Sequence, residues 1–171
     1  MGYVQVYTGD GKGKTTASLG LLLRAVGAGL AVRVFQFMKH GETCECAALA
    51  DRFPEVEVTP LGSGRFINPR DIPAAERARA ADGFGRAAEA VRSGAFDLVI
   101  LDEINGAMDM GLIPVEDVLR LMRDRPSRTE LVLTGRGAPQ AVVDAADLCT
   151  EMRMVKHYYQ KGVPARRGIE R

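Results

Sequence analysis

Apolar positions along the chain alternate between short continuous runs and longer, helically spaced stripes. Residues 3–8 read as a short apolar strand that breaks at a glycine-rich turn, and the turn opens a helix near Lys14. In that helix Leu19, Leu22, Leu23 and Val26 recur at the spacing of one face packed on a sheet, and Gly27 and Gly29 stop it. Residues 31–38, rich in β-branched and aromatic side chains, predict a second strand, 39–46 a polar loop, 47–53 a short helix and 56–61 a third strand. Residues 62–73 form the longest irregular stretch. An alanine-rich helix is expected over 74–93, with Phe84, Ala87, Ala88 and Val91 on one face and Gly94 as its stop. Residues 96–101 are almost unbroken apolar, the mark of a central strand covered on both faces. Pro114 fits the first turn of a helix reaching about residue 124, with Val118, Leu119 and Met122 inward. A fifth strand over 129–134, a helix opened by Pro139 and a sixth strand over 148–155 complete the pattern. Residues 156–171 are basic and show no periodicity.

Strands alternating with helices imply a parallel sheet with right-handed crossovers and ligands at the strands' C-terminal ends. The expectation is one α/β domain over residues 1–171, P-loop NTPase-like (RecA-like), with a parallel sheet of about six strands flanked by helices. Composition changes this little: 171 residues, 46% hydrophobic and 26% charged, are ordinary for a globular domain. A net charge of +1 supplies no field to recruit nucleic acid or an anionic membrane. The most apolar stretch, 19–34, is interrupted by Arg24, Gly27, Gly29 and Arg33, so no membrane span is expected. The chain starts directly on a strand, leaving no room for a signal peptide, and three cysteines argue against a disulfide framework. Both point to the cytoplasm.

The chemistry concentrates in Thr8-Gly-Asp-Gly-Lys-Gly-Lys-Thr-Thr16. A glycine-rich turn entering a helix presents backbone N–H groups and the helix's positive end to an anion. Thr8, Gly9, Asp10, Gly11, Lys12, Gly13, Lys14, Thr15 and Thr16 are the expected ATP-binding residues, with Lys14 on the phosphates and the Thr15 hydroxyl available to a metal ion. Thr8 stands where the P-loop consensus places glycine, so either the loop is one residue short or threonine replaces the glycine. The competing reading is a strand–helix turn that binds nothing. Asp102 and Glu103 close the apolar run 98–101 and resemble a Walker B pair; they could instead cap the following helix. Glu103 could polarise an attacking water or ligate a metal. Arg136, between Gly135 and Gly137 after the fifth strand, could reach a phosphate or lie on the surface. Cys44 and Cys46 with His40 lack the spacing of a structural zinc site, and Cys149 is solitary. His157, Tyr158 and Tyr159 could stack on a ligand or pack the final segment down.

Taken together and in order, residues 6–16, Gln36-Phe-Met-Lys39, residues 97–103, Leu133-Thr-Gly-Arg-Gly137, Val155-Lys-His157, Gly162-Val163 and Gly168-Ile169 resemble the P-loop-type ATP:corrinoid adenosyltransferases. The resemblance covers nearly the whole chain, and the short loop and the Val-Lys-His segment are its most specific pieces. It implies that cobalt(I) of a corrinoid, such as cob(I)alamin or cob(I)yrinic acid a,c-diamide, attacks the 5′-carbon of ATP and tripolyphosphate leaves. The catalytic burden would then fall on positioning and charge stabilisation rather than on a general base. Lys14 and Arg136 are the implied catalytic residues; Thr15 and Glu103, with Asp102 in support, are implied to hold Mg2+ or Mn2+. Lys39, Phe66 and Ile67 are assigned to the corrinoid, a flavoprotein is the implied reductant, and a homodimer is carried over from the family alone.

Two departures stand against that pattern. Similar proteins often carry an N-terminal extension that helps cover the corrinoid, and often read Gly-x-Gly-Phe-x-Trp after the third strand. Here that stretch is Gly62-Ser-Gly-Arg-Phe-Ile67, with no tryptophan. Two other classes compete: a P-loop kinase or ATPase using Glu103, and a nucleotide or corrinoid binding module without turnover.

Overall fold

The computed structural model describes residues 1–40, 43–65 and 67–170. Six strands, β1 (Val4–Thr8), β2 (Val32–Gln36), β3 (Glu57–Pro60), β4 (Leu98–Asp102), β5 (Glu130–Thr134) and β6 (Leu148–Glu151), form one sheet in the order β3-β2-β4-β5-β1-β6. Every pairing is parallel. Among the described residues six α-helices flank it: α1 (Lys14–Gly27), α2 (Cys44–Arg52), α3 (Ala74–Ser93), α4 (Ile104–Asp109), α5 (Val115–Asp124) and α6 (Gln140–Ala145).

Strand β4 shows why the apolar runs are continuous. Leu98 and Ile100 face one side, packed with Leu22 of α1 and Leu49 of α2. Val99 and Leu101 face the other, packed with Ala87 and Val91 of α3 and Leu121 of α5. A strand sandwiched this way has no solvent face on which to place polar residues. On α3 the alanine stripe lets the helix approach closely: a Cβ on Gly83 would lie 2.8 Å from the Leu61 side chain. Gly94 ends α3 in the left-handed conformation at φ 65°, where glycine carries no steric cost.

The departures from the sequence pattern are local. Helix α2 starts at Cys44, inside the expected loop, because Thr43 caps it by accepting from the Cys46 amide at 3.4 Å. Helix α4 was not expected. On α5 the most buried apolar residues are Val118, Leu121 and Met122, and Leu119 packs half-buried against the same core. Strand β6 stops at Glu151 because the chain there turns beneath the P-loop, with the Met152 amide donating to Thr8 O at 2.8 Å and Met152 O accepting from Gly11 at 2.7 Å.

The strand order fixes where a ligand goes. From β1 the chain crosses by α1 to β2, beyond β5 and β4; from β5 it crosses by α6 on the opposite face to β6. Connections after β1 and β5 therefore part in opposite directions, opening a crevice at the C-terminal ends of the central strands.

Candidate active site

The loop between β1 and α1 is shaped by contact with the chain that follows β6. Gly9 has φ 97° and Gly13 φ 121°, and a Cβ on Gly9 or Gly11 would lie 2.4 or 2.6 Å from Met152 O. Gly9 needs glycine for both conformation and room, Gly13 for conformation and Gly11 for room. Thr8, standing where the P-loop consensus has glycine, uses its hydroxyl to accept from the Ala138 amide at 3.2 Å, tying the loop to the turn after β5. Asp10 accepts from the Met154 amide at 3.0 Å, and that bond holds its carboxyl below the usual range.

Lys14 is 7% exposed and donates to the carbonyls of Gly9 and Gly11, both at 2.7 Å. Burial lowers the pKa of its ammonium, with Glu103 pulling the other way. The next residue, Thr15, donates to Oδ1 of Asp102 at 2.8 Å. Asp102 is 1% exposed and also accepts from Thr134 at 2.7 Å and from Gln36 at 3.3 Å. Lys39 Nζ lies 2.8 Å from Oδ2 of the same carboxylate and 3.3 Å from Thr15 Oγ1. Burial opposes the charge on Lys39, but Asp102, Glu103 and Glu45 together outweigh it and raise the ammonium's pKa above its ordinary value. Lys39, assigned to the corrinoid from sequence, thus sits beside Thr15 and Asp102 at the loop end of the cleft, following Met38 at φ 60°.

Glu103 itself adopts φ 62°, a strained conformation for a residue with a Cβ, and its amide donates to the Thr134 hydroxyl at 3.0 Å. Burial first, then the neighbouring Asp102, push its carboxyl pKa up. Gly135, at φ 131°, has its Cβ position 2.8 Å from the Gly106 amide, so β5 and α4 come together only with glycine there. Arg136 follows and lines the cleft with Lys14, Lys39 and Glu103. That cleft holds about 860 Å3 and runs from these residues along the first turns of α1 to Gly168, Ile169 and Glu170.

The structure thus brings Lys14, Thr15, Thr16, Lys39, Glu103 and Arg136 to one cleft, with Asp102 directly beneath. Lys12 borders the same cleft, but its ammonium is engaged by the segment 158–170. Ile67 packs inward against the core near Met38 and Leu61, and Phe66 lies outside the described residues. Among the described residues no group of three His, Cys, Asp or Glu side chains could hold a metal by itself. Cys44, Cys46 and Cys149 are free thiols, and Cys46 donates to Gln36 Oε1 at 2.9 Å. Sequence reasoning gave no role to Gln36 or Thr134, which fix Asp102; their signal was position, since each ends a strand neighbouring β4.

Comparison with known proteins bears on this geometry. The flagellar accessory protein FlaH of Methanocaldococcus jannaschii superimposes with a TM-score of 0.59 at 11% identity, over 87% of this chain and 70% of that one, which speaks to the fold alone. Corrinoid adenosyltransferases of Pseudomonas aeruginosa and Escherichia coli K12 are 37% and 33% identical to it over 99% of its length, spanning 83% and 85% of theirs. An uncharacterized protein, all2391 of Nostoc, is 37% identical over 91% of this chain, which spans only 45% of that protein. The family profile described as ATP:corrinoid adenosyltransferase BtuR/CobO/CobP matches residues 1–171, and the chain belongs to that family.

Proposed function

We propose that the protein transfers the 5′-deoxyadenosyl group of ATP to cobalt(I) of a corrinoid and releases tripolyphosphate. Cobalt(I) supplies the electron pair for the new cobalt–carbon bond, and the C5′–O5′ bond breaks with its pair going to the triphosphate oxygen. The observation that carries this reading is the convergence of Lys14, Lys39 and Arg136, from three separate connections, on one cleft above the buried Asp102. Such a site is built to neutralise a polyphosphate leaving group, and the work it does is positioning and charge stabilisation.

The donor set at the cleft floor fits a hard cation: Thr15 Oγ1 and the carboxylates of Asp102 and Glu103 offer oxygen only. Thr15 and Glu103, with Asp102 in support, would hold Mg2+ or Mn2+, and the bound ion supplies charge neutralisation to the triphosphate. Lys39, already on Asp102, keeps that carboxylate compensated on the protein's own account. The corrinoid is assigned to the irregular stretch 62–73 from its sequence. Keeping cobalt reduced calls for an external reductant, for which a flavoprotein is the class implied by the resemblance; a homodimer rests on the same ground, and a cytoplasmic location on the cysteine usage.

Phosphoryl transfer or hydrolysis is the second reading, favoured by the position of Glu103, a carboxylate lining the cleft beside Lys14 and Arg136. Products separate the two. Anaerobic incubation with ATP, Mg2+ and chemically reduced corrinoid is expected to give a light-sensitive cobalt–carbon product and one tripolyphosphate per turnover. ADP with phosphate or a phosphoester would overturn the transfer reaction.

A further inference from the structure

Lys12 occupies the middle of the P-loop, where a phosphate ligand is expected, yet all three donors of its ammonium find acceptors in one distant segment. They reach Ile169 O at 2.7 Å, Glu170 Oε1 at 2.9 Å and the Tyr158 hydroxyl at 3.2 Å. Glu170 is gripped from the other side: Arg166 donates Nη2 to Oε1 at 3.0 Å, Nε to Oε2 at 3.1 Å and its backbone N–H to Oε2 at 2.9 Å. Tyr158 also donates to Glu170, and the Arg166 guanidinium lies 5.0 Å from the Tyr158 ring centroid. These partners, Arg166 foremost, hold the Glu170 carboxyl well below the usual range.

None of residues 157–170 is buried, so the polar cluster rather than core packing keeps the segment in place. Where it is kept matters: Gly168, Ile169 and Glu170 form one wall of the nucleotide cleft, facing Thr16, Leu19 and Leu23. A lysine with every N–H engaged cannot donate to a phosphate without releasing that wall.

We propose that Lys12 is a tether rather than a phosphate ligand, and that Glu170, with Tyr158 and Arg166, acts through it as a positioning group that sets ATP affinity by holding segment 157–170 against the cleft. The inference rests on the cleft binding ATP, not on what the ATP is then used for.

The test compares ATP binding by calorimetry in the full chain and in Lys12→Ala, Glu170→Ala and the double variant, with limited proteolysis of segment 157–170 alongside. Each single variant is expected to weaken ATP about tenfold, the size of one lost charge-assisted contact. The double variant should lose no more than either single one, because both break the same link. Cleavage within 157–170 should quicken in all three, and saturating ATP should slow it in the wild type. In Glu170→Ala the KM for ATP should rise while kcat at saturating ATP stays within about threefold, the mark of lost uniform binding. Tyr158→Phe, which keeps the ring under Arg166, should show a smaller loss of the same kind. Weaker binding in Lys12→Ala with unchanged or tighter binding in Glu170→Ala would make Lys12 a phosphate ligand and overturn the tether. Additive losses, or wild-type affinity in both variants, would overturn it as well. Normal ATP binding without any cobalt–carbon product refutes the proposed reaction and leaves the tether standing; normal turnover with unchanged affinity in Glu170→Ala does the reverse.

Discussion

Asp102→Asn removes one charge and keeps the shape of the side chain, so its cost isolates what the carboxylate contributes. Its two oxygens accept from the Thr15 and Thr134 hydroxyls at 2.8 and 2.7 Å, and from Lys39 and Gln36 at 2.8 and 3.3 Å. An amide offers one acceptor oxygen and one donor group. Hydroxyls can rotate to accept from that donor, whereas an ammonium cannot, so the amide oxygen must face Lys39. The two hydroxyl bonds then fall from charged to neutral strength, from about 1.5–3 to about 0.5–1.5 kcal/mol each, and Lys39 loses its ion pair while keeping a hydrogen bond. That is roughly 3 kcal/mol in all, somewhat less where solvent reaches Lys39, whose side chain is 26% exposed. In a domain of this size 3 kcal/mol corresponds to a fall of roughly 6–12 °C in Tm. Thermal unfolding followed by circular dichroism at neutral pH measures it. Lys39→Met should also destabilise, by leaving Asp102 uncompensated, and Asp102→Asn/Lys39→Met should fall short of the two losses added. A Tm for Asp102→Asn within about 2 °C of wild type would refute the view that this carboxylate organises the cleft floor.

The remaining predictions are simpler. Lys14→Ala should lose most ATP binding, since it removes a charge from a site that must neutralise a tetraanion; near-wild-type turnover at limiting ATP would make the P-loop assignment wrong. Gly9→Ala forces a Cβ onto φ 97° and to 2.4 Å from Met152 O, and the conformation alone costs about 1–3 kcal/mol. It should lower both Tm and ATP affinity, and an unchanged Tm would show that the loop can rebuild itself. For Glu170 the folded-state pKa is depressed, so its contribution is fully present above the unfolded value and declines as pH falls below about 4.3. Hydrogen exchange within 157–170, corrected for intrinsic rates, should show wild type more protected than Glu170→Gln at neutral pH, with the gap narrowing in acid. A gap that widens on acidification would contradict the linkage.

Patterning carried the fold because each central strand answers to two packed faces, which leaves long apolar runs in residues 31–38 and 96–101 that nothing else explains. The shape of the glycine-rich loop was equally legible, being a contiguous stretch whose glycines are dictated by local geometry. Helix α4 was not read because six residues are too few to establish a period, although Ile104, Ala107 and Met108 do share its buried side. Helix α2 was trimmed because Cys44, Glu45 and Cys46 read as loop chemistry; Thr43 was the overlooked cap. Lys39 could not have been placed from sequence, because its meeting with Asp102 depends on β2 lying beside β4, which only the strand order decides. The final segment was opaque for a related reason: its order comes from polar contacts with a residue some 150 positions away, which leave no periodic trace.

Those contacts also have a temporal meaning. The P-loop is written within the first sixteen residues, but its underside is supplied by Met152 and its outer edge by Ile169 and Glu170, 157 and 158 positions beyond Lys12 in the latter two cases. At a synthesis rate of about 5–20 residues per second, this motif emerges roughly 8–30 s before its far partners exist. During that interval β1 lacks its β6 neighbour and Gly11 lacks its acceptor, so a nascent chain would carry the signature residues of a nucleotide site without the site. A ribosome stalled before residue 148 would therefore display the loop without the backbone partners that shape it.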